Sequence, residues 1–297
     1  MKMSYEIIKK TIDELRALGV KGNLLDVIVT RSTRLFTPWT FSYITCEDGY
    51  IGCGMGNNGF DVPIDLSFLE ELINLDAYKV INRLEQGNMR MFDLSVIISI
   101  LAALSHKFMW DENALRAHGF DAKMLSKPAL SAILDLGLID SKDVVAFVGY
   151  FYGFVAQIST FVKEVNILEL EPIGDFDIYK AKSENTNVRV FPSSKSKEVL
   201  EHADVVIMTG MTIANGTVLP LLEFTKNARF VMMMGPTNTF YPKALFDAGV
   251  DLIGAIVFPS GEQFKKRFIN SRGYWYSEMD LKHMLICPKG RMKKIKP

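Results

Sequence analysis

Cysteine is scarce: Cys46, Cys53 and Cys287 are the whole complement in 297 residues. So few scattered thiols exclude a disulfide framework and a zinc knuckle, and they point to a reducing compartment. Cys46 and Cys53 flank Glu47-Asp48-Gly49-Tyr50, a turn sequence that would set them across a hairpin as small buried hydrophobes. Charge of one sign is not in excess. Lys plus Arg and Asp plus Glu each total 34, so no global field recruits nucleic acid or a membrane surface. The local exception is the basic tail Lys289, Arg291, Lys293, Lys294 and Lys296, which reads as a frayed, solvated end. The start, Met1-Lys2-Met3-Ser4-Tyr5-Glu6, lacks the apolar core of a signal peptide. The most apolar run, Leu94 to Leu104, is shorter than the roughly 20 residues of a membrane helix. A cytoplasmic protein that engages neither nucleic acid nor membrane is the expectation.

Familiar catalytic sets are missing too. His106, His118, His202 and His283 stand alone, without H-x-x-x-H, H-E-x-x-H or C-x-x-C spacing, and read as surface or helix-face histidines. There is no G-x-S-x-G elbow and no Walker glycine-lysine loop. The methionines, including Met232 to Met234, read as filler in strand cores rather than soft-metal ligands.

What is present is an ordered alternation. Ser4 to Leu18 is an amphipathic helix ended by Gly19 and Gly22. Leu24 to Thr30 reads as a strand, and Thr40 to Thr45 with Tyr50 to Gly54 as a hairpin. Gly52, Gly54, Gly56 and Gly59 make the following segment glycine-rich. Helices are expected over Leu66 to Leu75, Ala77 to Glu85, Met91 to Phe108 and Glu112 to Gly119, an α+β unit with strands first. The pattern changes near Asp140-Ser141-Lys142-Asp143, which divides the chain into domains 1–140 and 141–297. Beyond it, apolar runs of the doubly covered kind alternate with helices: Val144 to Val148, Val165 to Leu170, Asp204 to Met208, Arg229 to Met234 and Leu252 to Val257. Phe154 to Val162, Val199 to Ala203, Val218 to Lys226 and Pro242 to Ala248 are the expected helices between them. Pro172 to Pro192 reads as an irregular polar insert, and Glu262 to Ser271 as a closing helix.

Three polar loops follow strands in this second half. Gly149-Tyr150-Phe151-Tyr152-Gly153 has G-x-x-x-G spacing, not the G-x-G-x-x-G of a dinucleotide fingerprint, although Glu169 falls 20 positions on, where a ribose-binding acid would lie. Its aromatics suit stacking on a ligand or packing against the first domain. Thr209-Gly210-Met211-Thr212-Ile213-Ala214-Asn215-Gly216-Thr217 holds a turn pair and a threonine suited to capping a helix with its oxygen. Gly235-Pro236-Thr237-Asn238-Thr239-Phe240-Tyr241-Pro242 offers backbone access at Gly235, hydroxyls at Thr237 and Thr239, and Pro242 for a first helical turn. Each loop taken singly can be simply well capped. Together they stand at one edge of a parallel sheet, where open α/β folds bind ligands.

The stretch Thr209 to Thr217, then Gly235-Pro236-Thr237, then Phe246-Asp247-Ala248-Gly249-Val250-Asp251 with Gly254, resembles the putative heavy-metal chelation family, long classed as a domain of unknown function. Val148-Gly149-Tyr150-Phe151 and the Tyr50 to Gly56 hairpin resemble it as well. The match spans most of Asp143 to Ile256, and the first domain more loosely. The resemblance implies an α/β fold in which a small α+β, enolase-N-terminal-like domain precedes a Rossmann-like parallel-sheet domain, with a site in the cleft between them. The residues expected to line that site are Gly149, Tyr150, Thr209, Gly210, Asn215, Gly216, Thr217, Gly235, Pro236 and Thr237. Their groups suit a small anionic or oxygen-rich ligand, or a metal complex. A chelator holding its own metal fits them better than a bare metal ion, because no cluster of metal-ligating side chains sits on the loops. The alternatives are a nucleotide-cofactor enzyme using Gly149 to Gly153 with Glu169, and an oligomer whose loops are only structural. Self-association as a homodimer is left open.

Overall fold

The computed structural model describes residues 5–32, 39–45, 51–57, 66–86, 89–151, 153–170, 187–259, 263–264, 266, 270 and 281–293; for 27–57 only the backbone is described. The expected Glu262 to Ser271 helix and Cys46 lie mostly or wholly outside these residues.

Helix α1 (Tyr5–Ala17) buries Ile7, Ile8, Thr11, Ile12 and Leu15, the i, i+4 rows of one face. Strands β1 (Asp26–Ser32), β2 (Trp39–Thr45) and β3 (Ile51–Asn57) form an antiparallel sheet in the order β1-β2-β3. Thr45 pairs with Ile51 and Tyr43 with Cys53, the register of the expected hairpin. Helices α2 (Leu66–Glu70), α3 (Ala77–Glu85), α4 (Met91–Met109) and α5 (Glu112–Ala117) follow.

Helix α4 is apolar well beyond Leu94 to Leu104. Its Phe92–Met109 stretch is long and apolar enough to cross a membrane, but 94% of that window is buried inside the protein. One side lies on β2 and β3, and the other meets β10 and the loops that follow β8 and β9. A helix covered all round has no polar face to keep, which accounts for its composition.

The second sheet has eight strands in the order β4-β11-β10-β9-β8-β5-β6-β7. Six are parallel: β5 (Val144–Val148), β6 (Glu164–Glu169), β7 (Val188–Pro192), β8 (Val205–Thr209), β9 (Phe230–Gly235) and β10 (Leu252–Val257). Numbered from β5, their spatial order is 3-2-1-4-5-6, that of the doubly wound dinucleotide-binding folds. β11 (Lys282–Pro288) and β4 (Phe120–Leu125) extend it antiparallel at one edge.

Helices cover both faces. Ala129, Leu130 and Ile133 of α6 (Ala129–Asp135) and Phe154, Val155 and Ile158 of α7 (Phe154–Ser159) pack with Val145, Phe147, Val165 and Ile167. On the opposite face, Val199 and Leu200 of α8 (Ser196–Glu201), Ile213 of α9 (Met211–Ala214), Leu221 of α10 (Val218–Leu222) and Leu245 of α11 (Lys243–Asp247) join α1, α3 and α4 in one core.

Two expectations are corrected. Strand β7 occupies the last five residues of the stretch read as irregular, because Val188 and Val190 alternate with Arg189 at an edge that accepts polar residues. Arg291 of the basic tail is not a frayed end: its Nε and Nη2 bind Asp251 Oδ1 at 2.8 and 2.7 Å.

Candidate functional site

The parallel strands end together, and the three polar loops emerge at that carboxyl edge. β5 and β8 are hydrogen-bonded neighbours, yet the chain leaves β5 towards β6 and β7, while β8 leads on to β9 and β10. This reversal is the switch point at which a crevice opens in such sheets.

Gly149 takes φ +90° immediately after β5, and its N–H donates to the Leu168 carbonyl at 2.9 Å. A Cβ there would stand 2.9 Å from Thr209 Cγ2, so glycine is what lets the first two loops touch. Gly153, at φ +76°, precedes α7 without capping it through a side chain. Phe151 stacks at a tilt on Phe147, 5.7 Å between centroids, and it joins Tyr150 against the sheet core. Of the expected stacking aromatics, Phe151 therefore serves packing, and Tyr152 lies outside the described residues.

In the second loop most polar groups bond to one another. Thr209 Oγ1 accepts the Met211 N–H, and the Thr212 hydroxyl donates to the Thr209 carbonyl at 2.8 Å. Asn215 Oδ1 accepts from both the Thr217 N–H, at 3.1 Å, and the Thr217 hydroxyl, at 2.7 Å. Thr217 stands at the N-cap of α10, but its oxygen caps no helix N–H. The closer Asn215 acceptor takes the hydroxyl instead, which corrects the capping role expected for it. Gly216 supplies the φ of +82° that the turn needs.

The third loop begins at Gly235, φ +125°, after which Pro236, Thr237 and Asn238 make one 3-10 turn with Pro236 at its first position. The Thr239 hydroxyl donates to the Gly235 carbonyl and accepts the Ile256 N–H at 3.1 Å, so it is spent within the fold. Tyr241 donates its N–H to Ser105 Oγ of α4 at 2.8 Å. Its ring lies among Phe108, His118 and Phe120, and burial, helped by Glu14, raises its hydroxyl above the usual range. Pro242 precedes α11 rather than lying in its first turn.

Gly210 joins the second and third loops. Its N–H donates to the Met234 carbonyl at 3.0 Å, and a Cβ on it would lie 2.7 Å from Asn238 Oδ1 and 3.1 Å from Thr237 Cβ. Strand β3, with its run of glycines, packs against the Pro236–Asn238 turn, and so does α4. The structure thus brings together Gly149 with Thr209, and Gly210 with Thr237 and the Gly235–Pro236 turn. Asn215, Gly216 and Thr217 sit beyond α9 as a self-bonded turn.

One residue was not singled out by the sequence reading. Asn238 is fully buried, and among the described residues neither Oδ1 nor Nδ2 has a hydrogen-bond partner. Its signal in sequence was faint: an amide in a loop already rich in hydroxyls. The loops 149–153, 209–217 and 235–242 contain no Lys, Arg, His, Asp or Glu, so they bring none of these charged side chains to the edge. Among the described residues, no group of three or more His, Cys, Asp or Glu could hold a metal ion.

Residues 132–270 match the family model DUF364, described as putative heavy-metal chelation. A solved structure of a DUF364 protein of unknown function from Desulfitobacterium hafniense DCB-2 is similar over 97% of this chain and 99% of its own, at 17% identity and a TM-score of 0.65. Another, from Pyrococcus horikoshii, covers 95% and 99%, at 18% identity and a TM-score of 0.62. At such identities the likeness is one of fold. No curated protein matches the chain. Residues 132–270 thus match the putative heavy-metal chelation family model, and over nearly its whole length the chain shares the fold of these two DUF364 structures.

Proposed function

We propose that the chain binds a small polar ligand where loops 149–153, 209–217 and 235–238 meet the glycine-rich strand β3. The observation that carries this reading is the switch point between β5 and β8, with three glycine-containing loops at its mouth. In this reading Gly149, Gly210 and Gly235 give backbone access. Tyr150, Thr209, Pro236 and Thr237 form the wall, and Asn215, Gly216 and Thr217 hold its outer turn in shape. The division at 140/141 then separates an enolase-N-terminal-like lid from a Rossmann-like base, with β4 lent by the first part to the sheet of the second.

The family description suggests a part in heavy-metal chelation. Loops without Asp, Glu, His, Lys or Arg favour an organic chelator that carries its own metal over a metal gripped by the protein. The test is native mass spectrometry with elemental analysis of the purified chain. A bound mass, with or without metal, is expected, and Gly210→Val should discharge it by driving a side chain into Asn238. A wild-type chain that carries nothing, and that no metal or chelate stabilises in thermal-shift titration, would sink the reading.

A nucleotide-cofactor enzyme is the second reading. It is favoured by the 3-2-1-4-5-6 order and by Glu169 at the end of β6, the position of a ribose-binding acid. Stabilisation by NAD(P), ATP or S-adenosylmethionine would support it, and indifference to all of them would remove it.

A further inference from the structure

We infer that Asn238 is the residue that selects the ligand, by pairing its carboxamide with a neutral amide- or lactam-type edge. The inference rests on the ligand-binding reading of the site given above. A carboxamide carries two N–H donors and a carbonyl acceptor. At Asn238 both ends are buried, at 0% exposure, and unpartnered. Desolvating such a group without compensation is costly, and in native proteins an unmatched buried amide calls for an explanation.

Its neighbours sharpen the point. Thr239, one residue on, spends its hydroxyl on Gly235 and Ile256, and Asn215 spends its carbonyl on Thr217. Asn238 alone in these loops is left with a whole amide. Glycine flanks it on two sides: a Cβ at Gly210 would lie 2.7 Å from Oδ1, and one at Gly235 would lie 3.7 Å away. At these two positions the fold brings backbone rather than a side chain to the amide, and among the described residues it gives the amide no hydrogen-bond partner.

The chemistry of a matching ligand follows. An asparagine amide pairs in bidentate fashion with a donor set beside an acceptor, as it does with the edge of adenine. Loops free of cationic side chains do not favour a phosphate or carboxylate, and a single neutral oxygen is a poor grip on a bare metal ion. Because the amide is sealed from solvent, the ligand reaches it by parting the Pro236–Asn238 turn from the segments packed on it.

Three isosteric probes test this on the full chain by calorimetry and thermal shift: benzamide, benzoate and benzamidine. The wild type is expected to bind benzamide at least tenfold more tightly than either of the others. Asn238→Leu should lose at least tenfold in benzamide affinity, yet keep or raise its melting temperature without probe, because it removes unmatched polar atoms. Asn238→Asp should reverse the preference towards benzamidine, and it keeps the test alive if the leucine variant does not fold. Equal benzamide binding by wild type and Asn238→Leu would overturn the inference. So would a lowered probe-free melting temperature with an unchanged probe profile, the mark of a purely structural amide. Indifference of the wild type to all three probes overturns the ligand class. If a co-purifying species remains bound in Asn238→Leu, the site stands and the role of Asn238 falls; if the wild type carries none, the site itself falls.

Discussion

At the scale of single residues, the three loops are set by where a Cβ is not tolerated. Gly149 combines a left-handed φ of +90° with Thr209 Cγ2 only 2.9 Å from any Cβ. Gly153, four residues on, has φ +76° but open space around it. The pair separates two costs. Gly153→Ala should lose the backbone term alone, about 1–2 kcal/mol for an L residue in the left-handed region. Gly149→Ala should lose that and a further roughly 1–3 kcal/mol of overpacking against Thr209. Denaturant unfolding of both variants measures the difference. Equal losses would mean that the contact between the first two loops does not constrain the edge of the sheet.

At the scale of elements, the opposite edge of the sheet is fastened by charge, while the three polar loops contain no Lys, Arg, His, Asp or Glu. Asp143 Oδ2 accepts the Asp140 N–H at 2.7 Å and Arg229 Nη2 at 2.6 Å, and Arg229 Nη1 reaches the Leu138 carbonyl at 2.8 Å. This ties the turn before β5 to the residue before β9. Both side chains are largely buried, Arg229 at 23% and Asp143 at 9% exposure, so solvent screens the pair only in part. Asp143→Ala should cost about 1.5–3 kcal/mol, the range for hydrogen bonds to charged groups. Its ligand profile should match the wild type, since the clamp stands at the far end of the strands; a changed profile with unchanged stability would contradict this. The same elements show what could be read from sequence. β5, β8, β9 and β10 are continuous apolar runs because both faces are covered, and such runs announce themselves. β7 and β4 were not legible, because edge position lets Arg189 and Lys123 sit among their apolar residues, and β11, which lies between β4 and β10, was not legible either, with Lys282 and His283 opening it. The loops were legible through their glycines. The state of Asn238 was not, because lacking a partner is a property of what the fold brings near and cannot be seen in local sequence.

For the whole molecule, α4 is the shared partner of both sheets, and a histidine near its end links it to the carboxyl edge of β10. His106 is 2% exposed, and its Nε2 lies 2.8 Å from the Phe258 carbonyl, which requires Nε2 to be the donor. Burial lowers its pKa, with Lys282 adding to the effect against the Phe258 carbonyl, and burial also lowers the pKa of His283 on β11. Unfolded histidine takes up a proton near its ordinary pKa of about 6.5, whereas these two resist protonation until lower pH. Between those values the unfolded chain binds more protons than the folded one. Stability from this source is therefore complete above about pH 6.5 and declines as pH falls towards the folded pKa values, by at most about 1.4 kcal/mol per pH unit for each histidine. Urea unfolding at pH 7.5 and 5.5 should show the decline. His106→Gln retains an amide donor for Phe258 but cannot titrate, so it should start less stable at pH 7.5 and lose less on going to pH 5.5. Parallel losses in wild type and variant would show that protonation of His106 does not loosen the junction between the two sheets.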